Sequence, residues 1–189
     1  VVNPQEFTTS GGKIEFNPLG EPTFTPGDLP EVIGLSPELV TLLSAADRKL
    51  GELTGLIEHL PNPNLLIVPL VSKESVSSSR IEGTHASLSD VLKAEIEPQA
   101  QKTKDTIETG NAVKATLFAL KNPQMDISSL TRKMHEVLFE GITTYGSKGA
   151  FRTQQNFIGP TSRIEDARYI PPMPEKIPAL MEAFQTYFE

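Results

Sequence analysis

Seven apolar residues, Leu39, Leu43, Ala46, Leu50, Leu53, Ile57 and Leu60, follow one another at spacings of 4, 3, 4, 3, 4 and 3. Side chains repeated at that period share one face only on an α-helix, because a strand throws alternate members to opposite sides. The punctuation agrees. Ser36-Pro37-Glu38 supplies a capping hydroxyl, a Pro at the first helical position and an acid in the first turn, and Pro61-Asn62-Pro63 ends the pattern. The stripe is read as the core-facing side of a long helix.

Further helices follow. Leu65–Val71 is apolar but holds Pro69, which predicts a helix that kinks or breaks there and resumes near Ser72. Ser87-x-x-Asp90 resembles a capping box and opens a helix over Leu88–Glu97. Asp105-x-x-Glu108 predicts another cap, ahead of Ile107, Ala112, Ala115 and Ala119 with Phe118 beside them. Asp126 caps a helix carrying Ile127, Leu130, Met134, Val137 or Leu138, and Ile142. Ile177, Leu180, Met181, Phe184, Tyr187 and Phe188 form a last helical face, still running at Glu189. That unfinished aromatic face predicts a partner, in a missing segment or in a homo-oligomer.

Two stretches are not helical. Gln154–Ile158 and Arg168–Ile170 are β-compatible and flank the polar GPTSRIEDA, which predicts a hairpin with a long loop. Residues 1–35 carry Pro4, Pro18, Pro22, Pro26 and Pro30 among glycines and are read as an extended arm. Its apolar residues, Phe7, Phe16, Leu19, Phe24 and Leu29, predict that it lies on the domain surface. The expected fold is mainly α with one β-hairpin, organised as an arm (1–35), a helical region (36–100) and a third region (101–189).

Composition narrows the function classes. The chain has no Cys, so it has neither a disulfide nor a thiolate nucleophile or metal ligand. Its net charge of −7 argues against a broad nucleic-acid surface, which needs clustered Lys and Arg. No apolar run approaches the ~20 residues that span a bilayer, and the N-terminus has no signal-peptide pattern. A cytoplasmic protein without membrane contact is expected.

Residues 76–86, VSSSRIEGTHA, carry the one pattern that points to chemistry. Ser78 and Glu82 are four positions apart and so share a helix face, where the hydroxyl can hold the carboxylate. Gly83 is a C-terminal stop that also leaves room for a close approach. An acid at the carbonyl end of a helix is electrostatically misplaced by a few tenths to ~1 kcal/mol. Composition alone leaves two readings open, a solvated helix end and a functional glutamate with a cationic partner.

SSSRIEGTHASLSDVLKAE resembles the Fic-domain proteins, in the group whose inhibitory helix precedes the catalytic core. That helix has Ser or Thr, three residues, Glu, then Gly or Asn, matched by Ser78 to Gly83. An upstream LLIVPLVSKES, the helix with Met134-His135-Glu136-Val137-Leu138, and GAFRTQQNFIG followed by ARYIPPMP stand in the family's order, over roughly residues 25–189. The resemblance implies a Fic-type helical bundle. In full length it would be a nucleotidyltransferase that moves AMP from ATP to a protein hydroxyl, with ATP and Mg²⁺ as cofactors and a protein target as partner. The family's catalytic signature, HxFx(D/E)GNGRxxR, does not occur in these residues; of His59, His85 and His135, none begins it. The resemblance therefore implies the regulatory and target-docking portion of a longer, autoinhibited enzyme, with an inhibitory helix at about 72–83 and no catalytic or metal residue in this stretch.

Site roles follow from the same resemblance. Glu82 would pair with the signature's second arginine, which otherwise grips the γ-phosphate, with Ser78 positioning the carboxylate and Gly83 closing the inhibitory pattern. Gln155, Asn156, Phe157, Ile158 and Gly159 would form the flap (about 154–170) that docks the target strand. His135 is expected to pack or cap, His85 to sit near the inhibitory pattern, and Arg152 to anchor the flap by a salt bridge. A catalytically silent helical module that binds partners through the flap edge is the competing reading.

Overall fold

The computed structural model describes residues 11–30, 32–97, 102–143 and 146–189; the first ten residues of the predicted arm, Phe7 among them, lie outside these. The described residues fall into two compact units. One comprises 32–97, 102–121 and 140–142, the other 11–30, 122–139, 143 and 146–189.

The first unit is built of α1 (Pro37–Glu58), α2 (Asn64–Ile81), α3 (Leu88–Ile96) and α4 (Lys104–Lys121). The Ser36 hydroxyl accepts from the Leu39 N–H at 3.2 Å, with Pro37 opening the helix as predicted. The stripe on α1 is not core, however. No residue of α1 is buried, and Leu50 is 61% exposed. The core instead takes one valine from each of the other helices, Val76, Val91 and Val113, with Val71, Leu88 and Leu117 against them. Periodicity established the helix but held no information about what covers it.

Helix α2 runs unbroken through Pro69, where a kink or break was expected. Pro69 lacks the N–H that would donate to Leu65. Leu65 is largely exposed, so the lost bond falls where it costs least. The face that α2 turns inward carries Ser72 and Ser75, both buried, beside Val76. Their small side chains let α2 approach α4 closely, and the Ser72 hydroxyl donates to its own helix, to the Val68 carbonyl at 2.9 Å.

The capping box of α3 forms as predicted. The Ser87 hydroxyl accepts from the Asp90 N–H at 3.2 Å, and Asp90 accepts from the Ser87 N–H at 2.9 Å. The Ser87 hydroxyl, which also donates to the Asp90 carboxylate at 2.6 Å, and then the Ser87 N–H hold the Asp90 carboxyl below its ordinary range. Helix α4 departs from expectation at its start. Thr103, not Asp105, supplies the capping oxygen, accepting from the Thr106 N–H at 3.2 Å. Asp105 accepts instead from the His85 N–H at 2.7 Å. The inward face of α4 is Thr106, Thr109 and Val113 with Asn111 and Ala115, whereas Ile107, Ala112 and Ala119 are only half-buried.

The second unit holds β1 (Gly12–Phe16), β2 (Pro22–Pro26), α5 (Ile127–Leu138) and α6 (Ile177–Phe188), with single 3-10 turns at Ile164–Asp166 and Pro174–Lys176. The molecule is mainly α with one two-stranded antiparallel hairpin among the described residues, as expected, but the hairpin is not where it was predicted. It lies in the arm, with Ile14 opposite Phe24. Asn17-Pro18-Leu19-Gly20 makes its turn: the Gly20 N–H donates to the Asn17 carbonyl, and the Asn17 side chain accepts from the Leu19 and Glu21 N–H groups at 3.0 and 2.9 Å. Pro22 and Pro26 stand at the strand ends, where a missing donor is tolerated.

The predicted hairpin of residues 154–170 contains one bridge, Ile158 to Tyr169. The register explains why it extends no further. The next hydrogen-bonded pairs on either side would be Pro160 with Ala167 and Asn156 with Pro171. Neither proline has an N–H to give.

Helix α5 is capped by Asp126, which accepts from the Ser129 N–H at 2.8 Å, and packs on α6. It ends at Leu138, so Ile142 lies beyond it. Helix α6 accommodates Pro178 in its first turn.

Candidate regulatory carboxylate and flap

The C-terminal end of α2 closes in a Schellman motif. With Glu82 as the cap, the Gly83 N–H donates to the Arg80 carbonyl and the Thr84 N–H to the Ser79 carbonyl, each at 3.1 Å. Gly83 has φ +92, a conformation that side chains resist, so the glycine is required by the turn itself. This fixes where Glu82 stands, at the last point of the helix and outside its packed side.

Ser72, Ser75, Val76 and Ser79 face inward or lie half-buried, while Glu74, Ser78 and Glu82 form an exposed line at one-turn intervals. The Ser78 hydroxyl bonds within this line, but not to the expected residue. It donates to Glu74 at 2.9 Å, one turn upstream, and not to Glu82. The reason is directional: helical side chains lean toward the N-terminus, so a short serine reaches back to position i−4 more readily than forward. Among the described residues no hydrogen bond or ion pair reaches the Glu82 carboxylate. It projects from the negative end of the helix dipole as an exposed charge, disposed to accept a cation.

The flap segment, in the other unit, is anchored at its base. Ile158 donates to the Tyr169 carbonyl at 2.9 Å and accepts from the Tyr169 and Arg168 N–H groups at 3.1 and 2.8 Å. Phe157 packs on buried Ala167 and Ile170, and Ile158 is 66% exposed. Gly159 passes so close to Ala167 and Asp166 that a Cβ would sit 3.0 Å from their backbone atoms. The Gln155 amide donates to the Asn156 and Pro171 carbonyls at 3.0 Å, and Asn156 is exposed.

Arg152 anchors the flap, though by a different bond from the salt bridge expected. Its guanidinium donates to the Gln154 carbonyl at 3.2 Å and to the Pro172 carbonyl, tying the two ends of the loop together. Burial pushes this guanidinium down from the ordinary arginine range, with Glu175 opposing. His135 caps a turn, as expected. Its Nδ1 accepts from the Gly149 N–H at 2.9 Å, and its ring packs on Phe139 with centroids 4.7 Å apart. Sequence reasoning passed over Glu15 and Lys176, which pair across the second unit. Nothing in the sequence relates residues so far apart. Among the described residues no group of three or more His, Asp or Glu side chains converges as a metal site, and no helix is long and apolar enough to cross a membrane.

Residues 40–121 match the family described as Fic/DOC family N-terminal, a span that begins inside α1 and ends at the last residue of α4. Comparison with curated proteins gave no match. The matched span contains the Schellman-closed end of α2 with Ser78, Glu82 and Gly83. From Val40 to Lys121, then, the chain is similar to the Fic/DOC family N-terminal region.

Proposed function

We propose that this chain is the regulatory and target-docking part of an autoinhibited Fic-type AMP-transferase, the nucleotidyltransferase activity itself residing in the full-length protein. One observation carries the reading: Glu82 stands exposed and unpaired at the end of a helix whose register the Gly83 turn fixes. Stability alone favours a basic residue at that position. Paired with an arginine of the catalytic signature, the carboxylate would deny that arginine to the γ-phosphate and leave ATP misaligned for attack. ATP and Mg²⁺ would be held by the catalytic signature of the full-length protein. A cytoplasmic setting and a protein target complete the proposal.

A catalytically silent module binding partners through the flap edge is the second reading, favoured by the exposure of Ile158 and Asn156. One experiment separates the two. Glu82→Gly in the full-length protein should raise auto-AMPylation from radiolabelled ATP by at least about tenfold, the loss of one charge-assisted contact. Equal labelling of wild type and variant would refute inhibition by Glu82. No labelling of either would leave the silent module.

A further inference from the structure

The main-chain bonds of residues 168–170 run in two directions. Tyr169 spends both its N–H and its carbonyl on Ile158. In an extended strand the next residue directs its groups to the opposite side. There the Ile170 carbonyl accepts from the Phe24 N–H of β2 at 2.9 Å. Phe24 is able to give that bond because Ile14 opposite Phe24 is a non-hydrogen-bonded pair of the β1–β2 ladder, which leaves its N–H pointing outward. Tyr169 and Ile170 are thus held between the flap on one side and the N-terminal hairpin on the other.

Side chains repeat the connection. The Phe24 and Tyr169 rings lie 6.4 Å apart, and a Cβ at Gly12 would collide with the Phe24 ring that covers it. Lys176, just before α6, donates to Glu15 of β1, and the same carboxylate accepts from the Thr25 hydroxyl at 2.6 Å and lies 3.6 Å from the Lys13 ammonium. The flap needs such help. With Pro160 and Pro171 blocking its ladder on both sides, it has one bridge, and an isolated two-stranded hairpin is marginal even with several.

We infer that the N-terminal hairpin is the seat of the flap: it holds Tyr169 and Ile170 in place so that the Ile158–Tyr169 bridge can form, and so sets the position of Phe157 and Ile158. That this position serves a target segment rests on the function proposed above; the seating itself does not.

Hydrogen exchange of the whole chain tests it with two variants. Phe24→Pro removes the outward N–H while leaving the donors of the β1–β2 ladder in place. Lys176→Met removes the cation from the flap side without altering the hairpin. Exchange at Ile158, Arg168 and Tyr169 should accelerate by roughly tenfold in Phe24→Pro and by a smaller factor in Lys176→Met, with Val113 and Ala115 of α4 unchanged. Unaltered rates at Ile158 and Tyr169 overturn the inference, as does acceleration confined to Thr23 and Thr25, which would show the hairpin melting while the flap stands. If Phe24→Pro also accelerates Val113, Lys176→Met decides alone. Because the readout is exchange and not labelling, it stands or falls separately from the Glu82 experiment.

Discussion

Glu15 shows how one side chain gathers bonds that no local pattern announces. Its carboxylate takes the Lys176 ammonium and the Thr25 hydroxyl on one oxygen and faces Lys13 with the other. The Lys176 bond first, then Thr25, hold the carboxyl down to about 2 from an ordinary 4.5. A carboxyl depressed in the folded state stabilises that state above its unfolded value and ceases to do so as pH falls through the folded one. Glu15 therefore contributes fully above about pH 4.5 and loses its contribution between there and about pH 2. Asp126 and Glu136 in the same unit are lowered too, so the wild-type curve alone is ambiguous. The difference is not: the melting temperature of wild type should exceed that of Glu15→Gln at pH 6, and the gap should close as pH falls from 4.5 toward 2. A gap that persists at pH 2 would assign the effect to packing.

At the scale of elements, the signals that proved legible were those resolved within a few residues. Ser36-Pro37, Ser87 with Asp90, Asp126 and Gly83 each did what their local chemistry dictates. The misplaced hairpin came from weighing prolines as breakers without asking where they fall. Pro22 and Pro26 flank a strand, and Asn17-Pro18-Leu19-Gly20 is a turn, whereas Pro160 and Pro171 stand at the positions that must donate. At the candidate site the sequence placed Glu82 and Gly83 on the helix end but mispaired Ser78, because spacing alone is blind to the backward lean of helical side chains. The α4 core face was missed for another reason: its buried line of Thr106, Thr109 and Val113 is largely polar by composition. Val113 is nonetheless the centre of the three-valine core, fully buried. Removing its two methyl groups should cost about 2 kcal/mol, a transfer loss of ~0.8 kcal/mol for each carbon plus an unfilled cavity. Urea unfolding of Val113→Ala followed by helical circular dichroism measures it; a change below about 0.5 kcal/mol would mean the core collapses around the gap.

At the scale of the whole molecule, the described residues carry more apolar helical surface than they cover. The entire stripe from Leu39 to Ile57 of α1 is exposed, as is Leu60 just beyond it, and Leu65, Leu66 and Leu70 of α2 are exposed too. The period that demands a helix also demands a partner for one side of it, and among the described residues the core closes without α1. A contiguous exposed apolar strip of this kind binds hydrophobic dyes in an otherwise folded protein. The 189-residue chain should accordingly enhance anilinonaphthalene sulfonate fluorescence at neutral pH with its helicity intact. Replacing Leu43, Leu50 and Leu53 together by Gln should reduce that enhancement by roughly half or more while leaving far-ultraviolet circular dichroism unchanged, since none of the three is buried. Dye binding that ignores the triple substitution would show that the stripe is already covered in solution, and sedimentation of the wild-type chain would then reveal whether a second copy covers it.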